Sequence, residues 1–238
     1  MKTDARQMGG GGASGRFVLL DIPMFAGLSD LQLDQIAQMA RPRKVPRNKT
    51  IVLVGARTDS LFVIVSGSAK VLNRDVDGNE VILTLLGAGE CFGEMGLIDG
   101  SPRSADVVAA EACELLEISK ADFTKALAGN VDLCLNIMKG LVLRLREANR
   151  KIESLALMDV YGRVAKLLLD LSGDENGLRV VRRKITKQDM AKMVGASREM
   201  VSRVIKDLEK SNYIRIGEGC IVLTEDCARS ESGTNRRL

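Results

Sequence analysis

The 238-residue chain contains no histidine, and this absence excludes several kinds of chemistry at once. Without imidazole, the Ser-His-Asp and Cys-His forms of nucleophilic catalysis lack their general base, and zinc or haem sites lose their usual nitrogen ligand. No two cysteines show the C-x-x-C spacing typical of metal sites. We therefore expect reduced thiols, no bound metal and no enzymatic activity. The cysteines are Cys91, Cys113, Cys134, Cys220 and Cys227.

Long hydrophobic runs are also absent. No stretch approaches the roughly 18 apolar residues that a membrane-spanning helix requires, and the first residues lack the apolar core of a signal peptide. The composition is otherwise globular, with 45% hydrophobic and 28% charged residues. We expect a cytoplasmic protein without a membrane partner and with two domains rather than one.

Positive charge is concentrated in the last third of the chain. Residues 1–159 contain 19 Lys/Arg and 20 Asp/Glu, whereas residues 160–238 contain 16 and 11. A nucleic-acid-binding module produces such an asymmetry, but a mildly basic solvated surface does so too. Charge alone therefore leaves both interpretations open.

The spacing of apolar residues changes along the first half of the chain. Residues 1–16 are Gly-rich and almost free of large apolar side chains, which predicts a flexible tail. From Phe17 to Met39 the spacing indicates short helices, and from Lys44 to Ile118 it changes to short β runs separated by glycine turns. The Asp77-Gly78 pair predicts a tight hairpin, because both positions tolerate a positive φ. These features favour a small antiparallel barrel or roll.

A long helix has the clearest period in the sequence. Apolar residues from Val131 to Leu155 alternate spacings of three and four, which is typical of an a/d seam. Charged residues such as Arg144 are expected on the solvated faces. An intrachain helix would also be amphipathic, but the strict period favours a two-helix coiled coil and a homodimer. The predicted dimer interface is Met138, Leu141, Leu145, Ala148, Ile152 and Leu155.

A second unit is predicted after Asp159. The run 161–172 has a helical pattern, and residues 173–179 (GDENGLR) are interpreted as a loop. Two short helices follow from Lys184, and the alternation around residues 217–219 predicts a β-hairpin.

The two short helices form a helix-turn-helix pattern. Thr186 is placed to cap the first, Gly195 to end it and Ser197 to cap the second. The apolar stripe of the second helix must face inward, so its Arg and Glu side chains project outward, where they can read guanine and cytosine. A solvated amphipathic helix would have the same charge pattern. The predicted DNA-binding residues are Thr186, Ser197, Arg198, Glu199, Ser202, Arg203 and Lys206.

The stretch 89–105 (GECFGEMGLIDGSPRSA) places glycines, a carboxylate and a guanidinium around one turn. Gly93 and Gly96 permit close approach of the backbone, and Glu94 can accept a hydrogen bond from a sugar hydroxyl. Arg103 supplies a positive fork for a phosphodiester, and Ser104 adds a hydroxyl donor. A polar loop with one surface Glu-Arg pair would have the same spacing.

This stretch resembles the phosphate-binding cassette of cyclic-nucleotide-binding domains, with F-G-E at 92–94 and R-S-A at 103–105. Downstream, residues 154–171 and 185–216 are similar to the hinge and DNA-binding domain of the cyclic AMP receptor protein / fumarate-nitrate regulator family of bacterial transcription regulators. The resemblance runs from about residue 17 to residue 223, with its three motifs in the expected order.

The resemblance implies an α+β protein with an N-terminal β jelly-roll cyclic-nucleotide-binding domain, a long dimerisation helix and a C-terminal winged helix-turn-helix domain. It divides the chain into a flexible tail at 1–16, the β-roll at 17–130, the dimerisation helix and hinge at 131–158, the winged helix-turn-helix at 159–226 and a C-terminal tail at 227–238.

Site residues carried over from the family follow the same motifs. Glu94 would meet the ribose 2′-hydroxyl, and Arg103 the cyclic phosphate. Cyclic AMP-responsive members carry a Thr-Ser pair where this chain has Ala148-Asn149, and Ala148 cannot form a side-chain hydrogen bond. Cyclic AMP is the effector that the resemblance implies, and the departure at Ala148-Asn149 leaves cyclic GMP and cyclic di-GMP open as alternatives. The implied ligand-binding residues are Gly93, Glu94, Met95, Gly96, Arg103, Ser104, Ala148 and Asn149.

We expect a dimeric, ligand-gated transcription regulator that reads a palindromic operator with TGTGA-like half-sites. Its implied partners are double-stranded DNA and a second copy of the chain, with RNA polymerase as a further candidate. Two alternatives stay open: a cyclic-nucleotide or cyclic di-GMP sensor that acts mainly through protein partners, and a regulator that binds DNA without ligand. An enzyme with a regulatory nucleotide domain is excluded, because the sequence offers neither a P-loop nor a separate catalytic domain.

Overall fold

The computed structural model describes residues 19–20, 22–182, 185–217 and 219–224. The predicted tails at 1–16 and 227–238 lie outside these residues. The chain divides into two compact units, Met1–Leu145 and Arg146–Leu238. The division falls inside the long helix, and each unit is described separately below.

Two four-stranded antiparallel sheets form the centre of the first unit. Their strands are β1 (Arg41–Val45), β2 (Thr50–Val52), β3 (Ser60–Ser66), β4 (Ala69–Arg74), β5 (Glu80–Leu86), β6 (Cys91–Phe92), β7 (Asp106–Ala109) and β8 (Cys113–Ser119). One sheet has the order β1-β8-β3-β6 and the other the order β2-β7-β4-β5. The predicted change to a β-rich roll over residues 44–118 is confirmed.

Strand β3 is buried on both faces. Phe62 and Ile64 lie in the core between the two sheets, where the Phe62 ring stacks on Phe92 with their centroids 5.2 Å apart. Leu61 and Val63 point the other way, into a second core under the helices. This division follows from the two-residue period of a strand, whose successive side chains face opposite sides.

The turn between β4 and β5 is wider than predicted. The last paired residues are Arg74 and Glu80, so five residues form the loop. The Asp75 carboxylate accepts hydrogen bonds from the backbone N–H groups of Asp77 and Asn79, both at 2.9 Å. The predicted hairpin is present and Gly78 has a left-handed φ of 82°, but its two-residue length is wrong, because the Asp75 side chain and the bond from the Asp75 N–H to the Asn79 carbonyl, at 3.0 Å, close a wider loop.

Helices cover one side of the first unit. A 3-10 turn at Pro23–Phe25 precedes α1 (Asp30–Met39), and the later helices are α2 (Met95–Asp99), α3 (Lys120–Ala128) and α4 (Val131–Leu157). Ser29 begins α1 with a capping box to Gln32. The first turns of α4 bury Leu133 and Ile137 in the helix-side core.

Among its described residues, the second unit packs three helices that follow α4 on a four-stranded sheet. Its elements are α5 (Val160–Leu171), β9 (Gly173–Glu175), β10 (Leu178–Val181), α6 (Lys187–Val194), α7 (Arg198–Lys210), β11 (Ile214–Gly217) and β12 (Cys220–Leu223). The sheet order is β11-β12-β10-β9. The predicted α6–α7 pair and the β11–β12 hairpin are confirmed.

Residues 173–179 form a β-hairpin, so their interpretation as a loop is wrong. Asn176 and Gly177 have φ values of 55° and 81°, which suit a two-residue turn between paired strands. β10 also pairs with β12. The polar composition of the segment misled the interpretation, although Asn176-Gly177 is a local hairpin signal; the pairing of β10 with β12, some 40 residues later, is the part that the segment itself does not indicate.

The described residues offer neither a single helix that could span a membrane nor a cluster of metal ligands. No single helix there is long and apolar enough to cross a bilayer, and α3 with α4 meets that requirement only as a pair bent by 114°. The same residues contain no group of three or more Cys, Asp or Glu side chains that could hold a metal ion.

Candidate functional site

The cassette motif lies between β6 and β7. It begins at Gly93, whose φ of 88° is left-handed and favours glycine. A Cβ atom at this position would collide with the guanidinium of Arg103 and lie 3.2 Å from the Ser60 carbonyl oxygen. Gly93 is therefore required by close packing as well as by its backbone conformation.

Gly96 brings α2 against the loop that follows it and against Thr58. A Cβ atom there would collide with the Ser101 carbonyl oxygen and the Thr58 hydroxyl. The Thr58 hydroxyl also donates to the Ser101 carbonyl at 3.0 Å. Both glycines thus let the cassette pack closely against residues 58–60. The approach of their backbone N–H groups to a phosphate or ribose stays a prediction.

Glu94 is a buried carboxylate, with 2% of the residue exposed. Its Oε1 accepts a hydrogen bond from Nη1 of Arg144, and the two groups form an ion pair. Its Oε2 is buried and has no hydrogen-bond partner among the described residues. Because a buried acceptor without a partner is costly, this oxygen marks a position where a ligand donor would be favourable.

Arg144 is a site residue that the sequence reasoning missed. The prediction placed it on a solvated face of the long helix, and this is wrong because it is half-buried and pairs with Glu94. Its Nη2 also donates to the Cys91 carbonyl. Its position beside the a/d seam gave no sign of a contact with a residue 50 positions earlier.

Cys91 shares this environment but is not activated. Burial raises the pKa of its thiol to about 12, and the charge of Glu94 acts in the same direction. The thiol stays protonated at neutral pH, and only the thiolate is a good nucleophile.

Arg103 is held in place by the protein itself. Nη1 donates to the Gly93 carbonyl at 2.9 Å and Nη2 to the Ser60 carbonyl at 2.6 Å, while the guanidinium carbon lies 5.8 Å from the Phe62 ring centre. Burial lowers the pKa of the guanidinium, and nearby carboxylates, including that of Glu94, oppose this shift. A guanidinium has five N–H donors, so two such bonds leave donors for an anion.

The remaining predicted ligand residues are distributed unevenly. Met95 and Ser104 are exposed at the cassette. Ala148 and Asn149 are exposed on the part of α4 that belongs to the second unit. Their contact with a ligand stays a prediction.

The predicted dimer residues are mostly exposed on the single chain. Met138, Leu145, Ile152 and Leu155 are each more than half exposed, and Ala148 is exposed as well. Leu141 is partly buried against the helix-side core. Such a row of exposed apolar side chains is unusual for a helix without a partner.

The helix-turn-helix begins and ends as predicted. The Thr186 hydroxyl accepts from the Asp189 N–H at 3.0 Å, and the Ser197 hydroxyl accepts from the Met200 N–H at 3.1 Å. Gly195 ends α6 with a left-handed φ of 63°. These local bonds set the angle between the two helices at a three-residue turn.

Helix α7 separates an apolar face from a polar one. Val201, Val204, Ile205 and Leu208 are buried, as predicted. The opposite face lines one surface depression with Arg198, Glu199, Ser202, Arg203 and Lys206. Met200 is also exposed near the start of the helix, and the sequence reasoning did not single it out.

A second missed residue, Arg163, fixes the base of the helix-turn-helix. Its Nε donates to the Val194 carbonyl at 2.9 Å and its Nη1 to the Met158 carbonyl at 2.8 Å. Val194 is the last residue of α6, where a positive side chain satisfies free carbonyls and the helix dipole. Met158 precedes Asp159, which caps α5, so Arg163 joins the end of the long helix to α6.

Comparison with known proteins identifies a domain in each half of the chain. Residues 42–130 match the family model for the cyclic nucleotide-binding domain, and residues 162–226 match that for the Crp-like helix-turn-helix domain. The chain is 36% identical over 201 residues to the cAMP-activated global transcriptional regulator CRP of Haemophilus influenzae, which covers 82% of this chain and 88% of that protein. It is 38% identical over 191 residues to the cAMP-activated regulator Vfr of Pseudomonas aeruginosa, covering 77% and 89%.

Solved structures of similar regulators superpose on the chain. The c-di-GMP responsive global regulator CLP of Xanthomonas campestris superposes with a TM-score of 0.70 at 28% identity, covering 82% of this chain and 99% of that one. The catabolite activator protein of Thermus thermophilus superposes with a TM-score of 0.52 at 32% identity, covering 88% and 97%.

The two domains together define a cyclic-nucleotide-responsive, DNA-binding transcription regulator, not an enzyme. The β-roll, the long helix and the winged helix-turn-helix give the α+β fold that the resemblance implied. The chain belongs to the cyclic AMP receptor protein / fumarate-nitrate regulator family.

Proposed function

We propose that this protein is a homodimer that binds cyclic AMP in the cassette and then reads a palindromic operator with two copies of α7. The observation that carries the proposal is the buried Oε2 of Glu94, which has no hydrogen-bond partner among the described residues. A ribose 2′-hydroxyl is a donor that satisfies this oxygen, while the ion pair with Arg144 orients the carboxylate.

The phosphate contact is assigned to Arg103 and Ser104. The Arg103 guanidinium is held by two carbonyls and retains donors for a cyclic phosphate, whose negative charge would offset the desolvation of the buried guanidinium. The Ser104 hydroxyl is exposed beside it. Backbone groups of Gly93, Met95 and Gly96 complete the proposed ligand contacts.

Cyclic AMP is chosen among the nucleotides because two relatives at 36% and 38% identity are described as cAMP-activated. One structural relative is described as c-di-GMP responsive. In the proposal, Ala148 and Asn149 face the base across the dimer. Asn149 is the member of this pair that can donate and accept hydrogen bonds.

The proposed dimer uses the exposed seam of α4. Met138, Leu145, Ile152 and Leu155 would bury their apolar surface against the same residues of a second chain, with Leu141 and Ala148 between them. A parallel pairing of this kind would present two α7 helices to successive half-sites about one helical turn of DNA apart.

The proposed DNA contacts divide by chemistry. Arg198, Glu199 and Arg203 would read base edges, while Ser202 and Lys206 hold phosphates from the same depression. The capping residues Thr186 and Ser197 lie exposed at the helix starts, where they can contact the DNA backbone. The regulator would act on the chromosome in the cytoplasm, with RNA polymerase as a candidate partner of the DNA-bound dimer.

Calorimetry of the purified protein with cyclic AMP, cyclic GMP and cyclic di-GMP tests the effector. We expect cyclic AMP to bind most tightly. Arg103→Ala should weaken its binding at least about tenfold, which corresponds to about 1.4 kcal/mol, because the variant removes the countercharge of the cyclic phosphate. Binding of none of the three by the wild type would refute nucleotide gating and favour a regulator that acts without ligand.

A gel shift with salt titration tests the proposed DNA binding. Phosphate contacts impose a steep loss of affinity with rising salt, and linkage requires that operator DNA tighten nucleotide binding as much as nucleotide tightens DNA binding. A protein that binds nucleotide but shows no salt-sensitive DNA binding would instead be a sensor that acts through protein partners.

A further inference from the structure

A second ion pair lies in the β-roll behind the cassette, outside the predicted site. Asp106 begins β7 and is 2% exposed, and its Oδ2 pairs with Nη1 of Arg74 on β4. Arg74 also forms an ion pair with Glu80 at 2.9 Å, so its guanidinium pairs with two carboxylates. A carboxylate as buried as Asp106 is rarely retained in a sheet unless it is paired.

The other oxygen of Asp106 holds a backbone turn. Oδ1 accepts a hydrogen bond from the Val54 N–H at 2.8 Å, at the start of the turn that follows β2. Val54 itself is an exposed apolar residue, so its side chain does not explain why the turn stays at this position. The link is a charge-assisted hydrogen bond, which is stronger than an ordinary one.

The same turn forms two backbone hydrogen bonds with Arg103 of the cassette. The Gly55 N–H donates to the Arg103 carbonyl at 2.8 Å, and the Arg103 N–H donates to the Ala56 carbonyl at 2.9 Å. The chain then continues to Thr58 and Ser60, which contact the cassette at the Ser101 carbonyl and the Arg103 guanidinium. Residues 54–60, here called the backing segment, therefore support the cassette along its length.

We propose that Asp106 is a positioning residue for the effector site: it anchors the backing segment at Val54, and the backing segment sets the position of Arg103. Arg74 neutralises the charge that this anchor requires in the sheet. The expected effect of Asp106 on cyclic nucleotide binding rests on the proposed function. The anchor itself is a property of the ligand-free protein.

The main test combines two measurements on the full chain. Asp106→Leu removes the anchor, and we expect deuterium exchange of the peptides that contain Gly55 and Arg103 to accelerate in the absence of ligand. The affinity for cyclic AMP measured by calorimetry should fall about tenfold, which corresponds to about 1.4 kcal/mol. Asp106→Asn gives a milder variant if the leucine protein does not fold, because one amide cannot satisfy both Val54 and Arg74.

Two further variants separate positioning from general stability. Arg74→Gln combined with Asp106→Asn provides a neutral pair that can keep the Val54 bond, and it should restore slow exchange and wild-type affinity. Val45→Ala removes a buried side chain of the same β-roll on β1, away from the backing segment. It should lower the thermal midpoint without changing the affinity for cyclic AMP or the local exchange of Gly55 and Arg103.

The outcomes distinguish the anchor from the proposed function. Unchanged exchange at Gly55 and Arg103 in the Asp106 variants would overturn the anchor, and so would wild-type cyclic AMP affinity in those variants. An equal affinity loss in Val45→Ala would reduce Asp106 to a stabilising residue. A wild-type protein that binds no cyclic nucleotide would refute the proposed function. The exchange measurement would still test whether Asp106 holds the backing segment in place.

Discussion

Arg144 pairs with Glu94, and this ion pair ties the long helix α4 to the cassette. The next residue along α4, Leu145, lies on the exposed apolar seam. One helix therefore carries the partner of the proposed ribose acceptor and the proposed dimer contact side by side. A ligand donor that bonds the free Oε2 of Glu94 would act on a carboxylate already paired with the helix that carries the proposed dimer seam, which is a direct physical route for gating.

Arg144→Met should destabilise the first unit, because it leaves the Glu94 carboxylate buried without its countercharge. Removing one partner of a buried pair costs about 3–5 kcal/mol, and the 40% exposure of the Arg144 side chain reduces this figure through solvent screening. Urea unfolding measures the loss. The double variant with Glu94→Gln should recover most of the stability but not nucleotide binding. A full loss in the double variant would mean that Arg144 stabilises through packing.

Leu145→Asp should give a monomer that has lost specific DNA binding. It would place a charge at a two-helix interface, where an unpaired buried charge costs several kcal/mol. Leu143→Asp is the matched control, since Leu143 is exposed on the same helix but off the a/d seam. Size-exclusion chromatography with light scattering separates the two. A dimer in both variants would refute the seam.

Arg203→Ala should weaken binding to a guanine-containing half-site by about 1–3 kcal/mol while leaving non-specific binding largely in place. Glu199→Ala should relax the preference at one cytosine position. Lys210→Ala, at the exposed end of the same helix, is the control for simple loss of charge. Gel shifts with specific and scrambled DNA measure the difference. Equal losses on both DNAs would show that Arg203 contacts only the backbone.

Arg163→Met should weaken DNA binding without changing nucleotide affinity. It removes the hydrogen bonds to the Val194 and Met158 carbonyls, and each lost bond to a charged group is worth about 1.5–3 kcal/mol. Arg163→Lys, which keeps the charge but supplies fewer directed donors, should fall between the variant and the wild type. Gel shifts and calorimetry on the same samples provide the two readouts. A parallel loss of nucleotide binding would argue against a local role at the hinge.

Much of the DNA-binding half could be predicted from the sequence, because its determinants are local. The caps at Thr186 and Ser197 bond N–H groups three residues away, and Gly195 ends its helix through its own φ. The buried stripe of α7 follows directly from the helical period. Such features depend on a few neighbouring residues, so a single sequence suffices to place them.

The candidate effector site was only partly predictable. The glycines, Glu94 and Arg103 share one short motif, and the sequence placed them together correctly. Arg144 was assigned to solvent, although it bonds a residue 50 positions away. Asp106 was not noticed at all, because its partners on β4 and at Val54 are 32 and 52 positions away.

By itself, the sequence determined the order of the domains, the local helix caps, the β-rich roll and the residue types of both sites, since these depend on composition, period and motif. Only the tertiary structure decided which carboxylates are buried, which arginines neutralise them, and that β10 pairs with the distant strand β12. The physical reason is common to all three. Burial and strand pairing bring distant residues together, and the free energy of a charge or a backbone N–H depends on that surrounding rather than on its neighbours in the chain.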